Sequence, residues 1–368
     1  MWVKASWALA LFQVAIFLSG AICVMGRILS SRTFRTSILL IPLGVTAAWP
    51  MLQLILHRSA YTWETQSATL RWCAMLVVFA VALQVFEDHG VRSWFRRKLL
   101  ILGCLLAVVS TLQLFSAPGR VFWIFPTDYT GFVLGPFVYR NQYAAFIELL
   151  LPIAIVAALD AHESVFLMTS AAAVMYASVI AASSRTGAIL VTAEVILIFS
   201  LAAWKQQLSM RRLSLALAGM IMFAGILSAA VGSDTLWERF HQSDPYRLRL
   251  ELLHSSADMI RERPWIGFGL GTWPTVYPAY AYFDDGLFVN QAHNDWAQWT
   301  VEGGLPFVAM LAWVFLWSTW SIRKYLWGLG VIAVFLHAFV DYPFEKLPLS
   351  ALCLTILGMI AAAQTSTK

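Results

Sequence analysis

Charge is what this chain has least of. Only 12% of its 368 residues are Asp, Glu, Lys or Arg, where a soluble domain carries about 25%. The net charge of +5 therefore reflects basic residues kept in short loops. It is no argument for nucleic-acid binding, because no soluble basic domain exists to hold nucleic acid. Cysteine is also sparse. Cys23, Cys73, Cys104 and Cys353 all fall in apolar segments without metal-ligand spacing and read as small hydrophobes. There is no internal repeat, no low-complexity tract and only one long polar interval.

Apolar runs fill the rest. Hydrophobic residues make up 60% of the chain, in repeated runs long enough to cross a bilayer. A large soluble core does not explain so many uninterrupted runs, so the expected fold is all-α, a polytopic helical membrane protein. About eleven spans are predicted, near residues 5–25, 36–56, 68–86, 99–116, 142–159, 165–183, 186–204, 213–231, 305–321, 325–341 and 347–364. The first apolar stretch is too long for an ordinary signal-peptide core and reads as a retained span. The seventeen tryptophans fit anchoring at membrane-water interfaces, although many are expected simply to pack. The whole chain reads as a single integral-membrane domain, residues 1–368. It divides into N-terminal helices (1–116), a core (117–321) and C-terminal helices (322–368).

Basic loops set the expected orientation. Arg27, Arg32 and Arg35 follow the first span, and Arg92, Arg96, Arg97 and Lys98 follow the third. Lys205, Arg211 and Arg212 follow the seventh, and Arg323 and Lys324 the ninth. These loops share one face, expected to be cytoplasmic. The N-terminus is then outside and the C-terminus inside. Three polar features fall on the external face: residues 116–141, the tight Ser183–Gly187 turn, and one long loop over residues 233–300.

The long loop is the place to look for chemistry, because irregular backbone cannot sit in lipid and long loops tend to be functional. It opens with a predicted amphipathic helix, DPYRLRLELLHSSADMIRERP, with Asp244 as cap and Pro245 at the first helical position. Arg247, Glu251, His254 and Asp258 form its polar stripe. Leu248, Leu252, Leu253, Ala257 and Ile260 form its apolar face, and Arg263-Pro264 ends it. The run GFGLG is a weak match to a dinucleotide fingerprint in the wrong context; a tight turn close to the bilayer or another loop is expected there. FDDG reads as a turn in which adjacent Asp284 and Asp285 point apart, so no metal is expected. His293, in AHNDW, is either structural or a general base held at a helix start by Asn294 or Asp295.

Other candidates lie at span ends. Arg185, in SSRTG, either snorkels to headgroups or binds an anion at a cavity mouth, beside Ser183, Ser184, Thr186 and Gly187. Glu148 and Glu194 fall inside spans, where carboxylates are functional candidates; Glu148 is expected to balance Arg140.

Taken in order, four elements resemble the O-antigen ligase/polymerase superfamily of bacterial envelope enzymes. They are FVYRNQYAAFIELLLPIA, the SSRTGAIL turn, YRLRLELLHSSADMIRERPWIGFGLGTW and AHNDWAQWTVEGGLPF, together covering about residues 120–320. The Arg140-Asn141-Gln142 run departs from the usual form of the first. The resemblance implies an inner-membrane glycosyltransferase, multi-pass, with its active site facing the periplasm. Its donor is a glycan on a polyprenyl (undecaprenyl) diphosphate. Ligases of this group pass the glycan to lipid A-core, polymerases to another lipid-linked repeat, and relatives to protein.

The residues fit that chemistry. A diphosphate leaving group needs positive charge, expected from Arg185 and Arg247 with Arg140, Asn141 and Arg249 in support. The acceptor hydroxyl needs a base, expected to be His293 with Asn294 beside it. No metal or other cofactor is required, and inversion at the anomeric carbon is expected. A transporter of lipid or solute is the rival from another class; the paired inverted repeats that would mark it are not visible. A structural scaffold leaves the Arg and His residues unexplained.

Overall fold

The computed structural model describes residues 6–117, 119–127, 133–205, 209–241, 247–282, 286 and 288–365. The first four helices are α1 (Ser6–Leu29), α2 (Leu40–Ile55), α3 (Thr62–Val85) and α4 (His89–Ser116). A small hairpin of β1 (Arg120–Val121) and β2 (Phe125–Pro126) follows, paired antiparallel. Next come α5 (Arg140–Leu159), α6 (Val165–Ala181), α7 (Arg185–Lys205), α8 (Met210–Val231) and the short α9 (Asp234–Phe240). The remainder holds α10 (Arg247–Glu262), α11 (Trp273–Val276), α12 (Asp295–Ile322), α13 (Leu329–His337) and α14 (Leu347–Thr365).

The all-α membrane architecture expected from composition is present. Eight helices are long and apolar enough to cross a membrane, and three shorter apolar helices, 40–55, 165–181 and 326–337, fill the remaining expected positions. Several helix starts follow from local sequence. Ser164 and Ser209 accept backbone N–H bonds from Leu167 and Arg212, both at 3.3 Å. Each such cap is worth about 1 kcal/mol.

The chain folds into two compact units, each discontinuous in sequence. One comprises residues 1–3, 92–245 and 322–337. At its centre is α5, apolar on all sides and buried on all sides, as a helix without a polar face must be. It packs against α6, α7 and α13. Gly330 of α13 lies against the backbone of Glu148 and Leu149, where any side chain would collide. The partner the structure gives Glu148 is His337, whose Nδ1 lies 2.8 and 3.1 Å from the two carboxylate oxygens. Packing is the reason: α13 brings a histidine to a buried helix face. Glu194 of α7 is buried in the same unit.

The other unit comprises residues 4–91, 246–321 and 338–368. Here α3 packs against α1, α2 and α14. Gly358 admits the backbone of Phe79 and Leu83 to close approach. Glu87 gathers Arg27, Arg32 and Arg35 at 3.0, 3.6 and 3.2 Å. Those are the basic residues expected after the first span, drawn to one carboxylate at the end of α3.

The long loop departs from expectation in three ways. It carries two further short helices, α9 and α11, and the helix expected to start at Asn294 or Asp295 runs on without interruption by a loop into the span expected from 305, as α12. The α12 helix is broken at Gly304, which takes φ 77° and ψ 175°. The tenth expected span, 325–341, shrinks to a helical stretch ending at His337, which leaves Asp341 outside it.

Candidate functional site

In the first unit, three arginines gather around the tight turn between α6 and α7. Ser183 adopts a left-handed φ of 53°, uncommon for a residue with a Cβ. The turn is held from inside. Ser184 donates to Asn141 Oδ1 at 2.8 Å and accepts the Gly187 N–H at 3.2 Å, capping α7. Gly187 packs against Ala144 of α5, with no room for a Cβ. Serine, arginine and glycine thus appear in this turn for separate reasons: a cap, a projecting cation and a close helix approach.

Arg185 reaches across to the carbonyl of Arg239 at 2.9 Å. Arg239 in turn donates to the carbonyl of Ser183. Leu236 anchors α9 against Ile180 and Ala188, so the first helix of the loop is tied to this turn by packing and by a reciprocal pair of hydrogen bonds. Arg140, Arg185 and Arg239 lie within electrostatic reach of one another. Arg239 was not anticipated from the sequence. Its only signal there was position, seven residues into the polar loop.

In the second unit, α10 is amphipathic, but its buried face is rotated from the expected one. Leu252, Ser255, Ser256 and Met259 are buried, while Leu248 and Leu253 are exposed. Small hydroxyl residues pack inward because their Oγ atoms bond back to the carbonyls of Glu251 and Leu252. Arg247, at the start of α10, is 77% exposed and pairs with Glu251 at 3.4 Å. Arg249 is turned inward and pairs with Asp341 at 3.2 Å. The residues expected to cap this helix, Asp244 and Pro245, lie outside the described residues, as do Asp284 and Asp285.

His293 belongs to the same group. Its backbone is left-handed, φ 52°, a conformation that costs energy and clusters at functional positions. Its Nδ1 lies 3.9 Å from Asp341 Oδ1, and its ring stands edge-on to Tyr342, centroids 4.9 Å apart. Burial lowers its pKa below the usual value near 6.5; Asp341 opposes the shift and Arg249 adds to it. Burial thus favours the neutral imidazole. Directly after it, Asn294 Oδ1 accepts the Ala297 N–H at 2.9 Å, the cap expected of this position. The Asp295 N–H bonds the carbonyls of Ala338 and Asp341 at 2.9 and 3.1 Å. Asp341 thus stands beside the His293 ring with its side chain and accepts from the Asp295 amide, two residues on, with its backbone carbonyl. An acidic residue closing an apolar segment was its one visible signal in the sequence.

The glycine turn is a structural support for this group. Gly267, Gly269 and Gly271 have positive φ, and the turn lies in the break of α12. Phe268 and Gly269 donate to the carbonyls of Val301 and Glu302, each at 3.0 Å, and Leu305 donates to the Pro264 carbonyl at 2.8 Å. The Glu302 carboxylate accepts the N–H groups of Gly271 and Trp273 at 2.8 and 3.0 Å. Gln53 of α2, buried, donates to the carbonyls of Ile266 and Glu302 and accepts from Leu270. The turn is tight, as expected, but its neighbour is a broken helix. Among the described residues no group of three or more His, Cys, Asp or Glu is arranged to hold a metal.

Residues 170–311 match a family model described as O-Antigen ligase. No curated protein matches the chain. The matched stretch takes in Arg185, Arg239, Arg247, Arg249, His293 and Asn294 and leaves Arg140, Asn141 and Asp341 outside it.

Proposed function

We propose that this chain, which carries an O-antigen ligase region at residues 170–311, is a membrane glycosyltransferase whose donor is a glycan linked to a polyprenyl diphosphate. As a ligase it passes the glycan to lipid A-core at the periplasmic face of the inner membrane. The observation that carries this reading is the pairing of chemistries within the matched stretch: Arg185 tied to Arg239 at a tight turn, and a half-buried, conformationally constrained histidine.

In the proposed reaction an acceptor hydroxyl attacks the anomeric carbon of the donor sugar. The bond from that carbon to the diphosphate oxygen breaks, and the configuration inverts. The hydroxyl proton passes to His293. Asp341 faces Nδ1, so the other ring nitrogen is assigned to the acceptor. The departing diphosphate keeps the electron pair, and its charge is met by Arg185 and Arg247, with Arg140, Asn141 and Arg249 in support. Guanidinium groups suit this role because they present several donors to phosphate oxygens at once. Asn294 holds the start of α12 and with it the position of His293.

A deletion strain tests the reading. Loss of glycan from lipid A-core, with accumulation of the intact lipid-linked chain, is the expected outcome for a ligase. Products shortened to a single repeat would make the protein a polymerase, the second reading that the same family match supports. Normal surface glycan in the deletion strain would end both. Orientation is tested separately: cysteines placed at Ser233 and Gly286 should label from outside with an impermeant thiol reagent, and one at Gln206 should not.

A further inference from the structure

The first unit contains a cavity whose lining includes none of the residues assigned to glycan transfer. It has a volume of about 410 Å³ and opens between α4, α5 and the start of α6, within the ~300–1,000 Å³ range of small-molecule sites. Its walls are hydrocarbon: Leu100, Ile101 and Leu105 from α4, Ile153 and Val156 from α5, and Leu167 from α6. Its mouth is ionic, formed by Arg96 and Arg97 with Asp160 and Glu163.

Glu163 is engaged by Arg97 at 2.7 Å, and Asp160 lies within electrostatic reach of Arg96. Arg96 is the residue without a full set of partners. It donates from Nη2 to Ser93 Oγ at 3.3 Å, and its guanidinium lies over the Trp327 ring at 5.2 Å. Its Nε is buried and has no hydrogen-bond partner among the described residues. A desolvated guanidinium donor beside a hydrocarbon slot is costly unless an anion completes it.

We propose that this cavity is a binding site for an anionic glycerophospholipid, with an acyl chain lying between α4, α5 and α6 and the phosphate at Arg96. The arginines of α4 belong to the basic loops that mark the cytoplasmic face, where anionic lipids attract basic residues and basic pockets between helices hold their headgroups. A free phosphate uses the mouth but not the slot; a neutral phospholipid uses the slot but not the mouth. The anionic lipid uses both. The site is independent of the glycan-transfer reading and survives if that reading fails.

Cys104 lines the cavity and reports on it directly. A variant retaining Cys104 alone, with Cys23, Cys73 and Cys353 replaced by alanine, is delipidated in detergent and treated with a bulky maleimide. Phosphatidylglycerol should slow the reaction several-fold, while phosphatidylcholine and glycerol 3-phosphate should not. Arg96→Gln should remove the difference between the two lipids. Ala157→Leu, which fills the slot and keeps the arginine, should remove protection and, by native mass spectrometry, retention of phosphatidylglycerol. Equal protection by both lipids would overturn the proposal, as would selectivity that persists in Arg96→Gln. Protection by glycerol 3-phosphate alone would reassign the mouth to a free anion. A Cys104 that does not react in the delipidated protein would show the cavity closed and overturn it too.

Discussion

The two groups of candidate residues differ in how their charges are held. Around the α6–α7 turn, like charges are brought together: Arg140, Arg185 and Arg239 share one neighbourhood, and the bonds that tie Arg185 and Arg239 in place run to backbone carbonyls. Around His293 the arginine is paired with a carboxylate, Arg249 with Asp341, and burial favours the uncharged histidine. The comparison separates arginines tied to backbone carbonyls at a tight turn from an arginine tied to a carboxylate beside a histidine. Arginine count alone does not reveal that difference.

The comparison is broken most severely at His293. His293→Ala should lower transfer by about 10²–10⁴-fold, the usual contribution of a positioned general base, while donor binding survives. Unchanged turnover would make the histidine structural. Next are the cations. Arg185→Ala should cost roughly 2–4 kcal/mol of transition-state stabilisation, and Arg185→Lys should recover only part of it, because a point charge does not replace a planar fork. Arg247→Ala should lose activity without loss of folded protein, since an exposed i,i+4 pair contributes little to stability. Wild-type activity in both alanine variants would return these arginines to headgroup contacts.

pH sharpens the contrast. The acid limb of the rate profile should lie below pH ~6.5, the unperturbed value, because burial lowers the His293 pKa. Activity is present above that folded pKa and lost as pH falls through it. Asp341→Asn removes the influence that raises the pKa, so the limb should move to lower pH. Arg249→Gln removes one that lowers it, so the limb should move to higher pH. Shifts of the same sign in both variants would contradict the arrangement. The smallest effects should come from His254→Ala and from EDTA, each leaving turnover near that of wild type. Loss in EDTA restored by magnesium would replace the arginines with an acidic metal site.

Much of the fold was legible because lipid imposes a simple rule: apolar runs become helices, and every expected span has a helical counterpart. The Ser-Ser-Arg-Thr-Gly turn and the Asn294 cap were also legible, since caps and tight turns are local. What escaped the sequence depends on contacts between distant segments. Asp341 follows His293 by 48 positions in the chain, and nothing local in VDYP says that it faces an arginine of α10. The inward face of α10 was misjudged because Ser255 and Ser256 satisfy their hydroxyls within the helix and pack as small groups, which a hydrophobic count misses. The break in α12 was visible only as Gly303-Gly304-Leu305-Pro306, a pattern that equally suits a loop before a span.

That break has a practical consequence. Backbone groups released around Gly304 are matched by Pro264, Phe268 and Gly269, and the Glu302 carboxylate holds Gly271 and Trp273, so the bonds that shape the glycine turn run to a membrane helix and to Gln53 of α2. Residues 233–294 expressed as a soluble fragment would leave those partners behind. Such a fragment is expected to lack the ordered turn and the backbone of His293 that depends on α12, however well α10 forms alone. Proteolysis should tell the same story in the intact protein, sparing the glycine-rich stretch despite its composition.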